Sequence, residues 1–162
     1  MAAYFLLPTP APMQEGLRPY IIYRQLPDGC LPFELSDDSC EPLMHRGECL
    51  VIDVRDREPA EGELFLIQWF GGRQEVIEPV LRENRGRSNW YVWSHNRPRS
   101  ADETCAWLEQ GRAHALPDGP YAADAPPESH LRQKIIGKVI GILEMDFRPM
   151  LRIGQPESEL RP

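Results

Sequence analysis

The stretch LSDDSCEPLMHRGECLVID at residues 35–53, followed by REPAEGELFLIQW at residues 57–69, alternates apolar runs with turn residues. Leu50, Val51, Ile52 and Val54 form a run apolar enough for a strand buried on both faces, and residues 64–69 form a second one. Gly47 marks a turn before the first run, and Pro59 with Gly62 mark another between the two. Ser39 stands where a preceding strand gives way to a polar turn, behind Asp37 and Asp38 and ahead of Glu41 and Pro42. A serine so placed can expose its hydroxyl together with neighbouring backbone N–H groups, as a nucleophile and its oxyanion hole require. The plainer reading of Asp-Asp-Ser before Glu-Pro is a turn or capping cluster.

The flanking sequence continues the β pattern. Residues 20–24 and 31–35 read as short strands, and Gly71-Gly72 supplies a hairpin turn into residues 75–77. Pro79 lacks a ladder donor, which predicts an edge or a bulge there. Residues 89–94, with Trp90, Tyr91, Val92 and Trp93, form a further strand. Ser100 and Glu103 make a capping box for one short helix, with Ala101, Cys105 and Leu108 on one face and Gly111 at its end. Residues 112–128, rich in Pro, Ala, Asp and Gly, read as a loop, and residues 134–144 as a long strand in which Gly137 and Gly141 mark a bulge or bend.

The chain has 162 residues and reads as one domain, long enough to bury a core without disulfide or metal staples. Its 17 prolines, about twice the usual share of roughly 5%, speak for short strands and turns and against a helical bundle. The net charge of −7 lacks the broad basic footprint of a nucleic-acid binder, so direct contact with nucleic acid is not expected. MAAYFLLP at the start has no preceding cation and is broken by Pro8, a poor signal peptide, and no apolar stretch reaches the roughly 18 residues of a membrane span. A soluble cytoplasmic protein is expected. Cys30, Cys40, Cys49 and Cys105 show no metal-ligand spacing; they read as small buried hydrophobes, and neither metal nor cofactor is expected.

The order of these motifs resembles the serine peptidase family that includes LexA, UmuD and the phage repressor C-terminal domains. DDSCEPL is similar to that family's G-D-S-M-E-P-x-L nucleophile segment, with Ser39 at the nucleophile position. HRGECLVID resembles its D-G-D-x-V-x-V-D strand, EPAEGELFLIQW its P-x-x-G-D-I-V-x-V arm, and IIGKVIGIL its closing I-x-G-R-V-V-G-V strand. The resemblance implies a mostly β, LexA-like C-terminal-domain fold with one short helix and an inserted loop. It divides the chain into a proline-rich arm and first strand (1–30), a β-domain (31–146, insertion about 99–130) and a tail (147–162).

The family mechanism implied is a Ser-Lys dyad, in which a desolvated lysine takes the serine proton. The family's lysine follows the hairpin in a V-x-V-K-R-L pattern, whereas here EVIEPVLREN, residues 75–84, puts Glu78 or Pro79 in its place. The chain holds only Lys134 and Lys138, on the last strand. His95 is the alternative base, with His45 a second imidazole near Ser39, and Cys40 beside it is an alternative thiol nucleophile. The Ala-Gly or Cys-Gly junction that family members cut does not occur before Ser39, and the residues ahead of the domain do not form a helix-turn-helix.

Three functions follow. The first is a non-catalytic or impaired binding and regulatory module that forms a homodimer or binds a protein partner, with Trp69, Phe70, Trp90, Trp93 and Trp107 available for an interface. The second is an active serine (auto)peptidase using Ser39 with a non-standard base. The third is an accessory factor of a DNA-linked regulatory complex, suggested by the family and by the arginines at 82, 85, 87, 97 and 99.

Overall fold

The structure is a computed structural model that describes residues 20–126 and 130–144. The expected arm at residues 1–19 and tail at 147–162 lie outside the described residues. Eight strands are described: β1 (Ile21–Tyr23), β2 (Cys30–Glu34), β3 (Cys49–Asp53), β4 (Phe65–Gln68), β5 (Gln74–Asn84), β6 (Arg87–Trp93), β7 (Asp118–Ala122) and β8 (Ile135–Leu143). Two helices join them, α1 (Ala101–Glu109) between β6 and β7 and α2 (His130–Lys134) directly before β8. The fold is mostly β, as expected.

The strands lie in the order β2-β3-β8-β4-β5-β6-β7, with antiparallel pairs throughout; β1 adds to β8 in parallel. On one side β8 meets β3; on the other it meets β4 over its first half and β1 over Gly141 to Leu143. The outer strands β2 and β7 each carry a proline, Pro32 and Pro120.

Two hydrophobic cores form on opposite faces of the sheet. Leu64 and Leu66 enter one with Leu35, Cys40, Met44, Leu50, Ile52, Val76 and Val139. Phe65 and Ile67 enter the other with Ile77, Val92, Leu131 and Ile135. Successive β4 side chains therefore serve alternate cores, which explains a run with no polar alternation.

The last strand serves both cores by a different device. Ile136 is the extra residue between the pairs Leu66–Gly137 and Ile67–Ile135, and Ile140 is extra between Val51–Gly141 and Ile52–Val139. Each extra residue shifts the alternation by one. Ile135 thus faces the second core, while Val139 and, beyond the next bulge, Ile142 face the first. The bulges sit beside the expected glycines, where neighbouring backbone leaves no room for a side chain: a Cβ at Gly137 would lie 2.4 Å from the Asp53 carbonyl oxygen, and one at Gly141 2.3 Å from that of Ile21.

Four expectations are corrected or refined. A second helix, α2, precedes β8, so Lys134 ends a helix rather than starting the strand. The stretch expected as loop contains β7, paired to β6. In α1 half of the capping box forms, the Ser100 side chain accepting from the Glu103 N–H at 3.1 Å, while the Glu103 carboxylate accepts from the Arg99 N–H at 2.6 Å instead of from Ser100, and no residue of the helix is buried. The edge expected at Pro79 falls inside one long strand: residues 74–77 of β5 pair with β4 and 78–84 with β6, so past residue 77 the β4 side is open and no ladder bond there lacks a donor.

Candidate functional site

Ser39 lies in the connection from β2 to β3. Leu35 closes that connection, donating to the Glu48 carbonyl at 2.9 Å and accepting from Gly47 at 2.7 Å. Inside it, the N–H groups of Leu43 and Met44 both donate to the Cys40 carbonyl. Cys40 and Met44 are fully buried and drag the serine inward with them. Ser39 is 3% exposed, not on an open turn as the sequence suggested.

Both groups a nucleophilic site would need are engaged. The Ser39 N–H donates to Asp37 Oδ1 at 3.0 Å, an Asx-type turn that occupies an amide otherwise available to an oxyanion. Its Oγ contacts Cys40 Sγ at 3.7 Å, and among the described residues no His or Lys side chain is hydrogen-bonded to it. Burial pushes the Cys40 thiol up to about 12, so it is protonated near neutrality and offers no thiolate.

The two lysines, neither of them expected to replace the dyad base, and the second imidazole are engaged elsewhere. Lys134 is buried, with Nζ 4.0 Å from the Phe70 ring centroid and 5.2 Å from that of Trp69. Lys138 is 3.7 Å from both Asp56 and Glu63. His45 is exposed beside Glu41 at 3.7 Å.

His95 belongs to a polar cluster that the sequence did not reveal. Glu78 Oε2 lies 2.9 Å from His95 Nδ1 and 3.0 Å from Arg97 Nη1, all three side chains mostly buried. Burial alone would raise the Glu78 carboxyl; the hydrogen bonds from His95 and Arg97, with the arginine charge, outweigh it and hold the carboxyl at about 2. Arg97 also donates to the Ser94 carbonyl at 3.1 Å, and Arg99 to the His95 carbonyl at 2.8 Å. Next to them, the Asn96 N–H donates to the Ser39 carbonyl at 2.8 Å and its side-chain amide to the Asp38 carbonyl at 3.0 Å. The segment after β6 is thereby tied to the serine turn through its backbone. The signal for Glu78 was the register that sets it opposite Trp93, two residues before His95, which is known only once β5 and β6 are paired.

Among the described residues, no group of three His, Cys, Asp or Glu side chains is placed to hold a metal ion, and no helix is long and apolar enough to cross a membrane. Comparison with family models, curated proteins and solved structures finds no match.

Proposed function

We propose that the protein is a LexA/UmuD-like peptidase-fold domain that has kept the serine turn and lost the reaction, acting as a binding or regulatory module. The burial of Ser39, with its N–H on Asp37 and its hydroxyl on a protonated thiol, carries this reading. Of the two residues at the lysine's place, Pro79 has no titratable group and Glu78 is a carboxylate committed to His95 and Arg97. The turn then acts as a structural joint. The module self-associates or binds a protein partner, as the resemblance implies.

One observation favours a second reading. Glu78 touches His95 as a carboxylate touches the imidazole it orients in a hydrolytic triad, so a peptidase that opens its serine turn has an oriented base. Incubation of the full chain at mildly alkaline pH, followed by intact-mass measurement, separates the two. The module reading expects wild type and Ser39→Ala each to keep its own full-length mass, with no fragments from either. Fragments that disappear in Ser39→Ala and also in His95→Gln establish the peptidase.

A further inference from the structure

Beyond the β4 pairing, the distal halves of β5 and β6 form a hairpin ribbon, flanked by β7 on the β6 side as far as Asn89 and closed by Arg85 and Gly86, both with positive φ (52° and 73°). Directly opposed residues of an antiparallel pair share a face. The pairs Val80–Tyr91, Arg82–Asn89 and Asn84–Arg87 therefore present Arg82, Asn84, Arg87, Asn89 and Tyr91 on one side. On the other side Val92 and Trp90 pack into the second core, and Glu83 falls there too, opposite Ser88. The alternation separates the one carboxylate of residues 82–91 from the arginines.

Of the five arginines grouped by the sequence, Arg97 and Arg99 are bound to Glu78 and the His95 carbonyl. Arg82, Arg85 and Arg87 have no carboxylate at ion-pair distance among the described residues, in a chain of net charge −7. Arg85 occupies a left-handed turn position that Asn, Asp or Gly fills more readily, so a cation stands at the tip against local preference. A shallow cavity of about 510 Å³ opens here, lined by Asn84, Arg85, Arg87, Asn89, Tyr91 and Pro120. Tyr91 is held from behind: a Cβ at Gly119 would come within 2.9 Å of its Cδ1, so only glycine lets β7 lie so close.

Exposed cations without carboxylate partners, side-chain amides and a half-exposed aromatic ring around a cavity whose lining holds no carboxylate are complementary to a chain of phosphates carrying stackable bases. We propose that this ribbon face binds single-stranded nucleic acid, the arginines on phosphates, Tyr91 stacked on a base and the asparagines on base edges. The footprint is local, which is why the overall charge conceals it. The site is separate from the serine turn and independent of its chemistry.

The test is fluorescence anisotropy of labelled oligothymidylate and oligouridylate of about 15 nucleotides with the full chain, from low to physiological salt. Binding should weaken with salt at a log–log slope near −2, as about three phosphate contacts give on a single strand. Arg82→Ala/Arg85→Ala/Arg87→Ala should abolish it, and Tyr91→Leu should weaken it by about tenfold or more. Circular dichroism checks that each variant is folded, and Arg85→Asn, which suits the turn, keeps the test valid should the triple variant unfold: it should bind more weakly and melt no lower. Binding of either oligomer supports the proposal, and their affinity ratio tells DNA from RNA. The proposal is overturned by no binding at low salt, by binding that survives the arginine changes in a folded protein, or by a duplex bound as tightly with no effect of Tyr91→Leu.

Discussion

Glu78 is a carboxylate with two donors on one oxygen, in a place from which water is largely excluded. Its folded value of about 2 lies below the ordinary 4.5, so its contribution is complete above pH 4.5 and lost as pH falls towards 2. Two to three units of difference correspond to roughly 3 kcal/mol, an order-of-magnitude figure. Denaturant titrations should show wild type losing stability across that window, while Glu78→Gln starts lower at neutral pH and does not share this loss. At this scale the sequence located Ser39 but not its orientation. Cys40 and Met44 turn inward because Leu50, Leu64 and Val76, far along the chain, offer them a core, and a local turn motif carries no record of that.

Elements announced by consecutive residues were read correctly. Residues 49–54 and 64–69 were strands on apolar content alone, the Gly71-Gly72 hairpin formed, and Ser100 capped its helix. β7 was missed because DGPYA has neither alternation nor β-branched residues; it is a strand because β6 supplies a partner. The sequence grouped Ala101, Cys105 and Leu108 on one side of α1, and all three are exposed, since periodicity says which residues share a face and not whether anything covers it. The glycines of β8 were read as marking a bulge, and their closeness to the Asp53 and Ile21 carbonyls gives a sharp expectation. Gly137→Ala must push two bonded strands apart, and urea titration should show it less stable by about 3 kcal/mol with an unchanged slope, since the backbone on the far side cannot yield as a flexible side chain does.

For the molecule, assembly is constrained by its open edges. Leu35 bonds to Glu48, just ahead of β3, so the strand alternation turns the ring nitrogen of Pro32, three residues earlier, outward along β2. Pro120 stands on the opposite outer strand, and β1 is only three residues long. These features oppose growth of the sheet by strand addition. The proposed self-association must then use faces or loops, where Phe70 is 87% exposed while Trp69 and Trp90 pack against the second core. Sedimentation at tens of micromolar should show a dimer that Pro32→Thr leaves unchanged and Phe70→Ser weakens; a monomer across all salt concentrations removes the self-association reading. The two surplus residues of β8 are slack held in a strand whose neighbour has none. Were Ile140 cut out, Val139 would still stand opposite Ile52 and Ile142 opposite Leu50, whereas losing Val51 from β3 would send Leu50 and Ile52 to opposite sides, so the closing strand can shorten where its neighbour cannot.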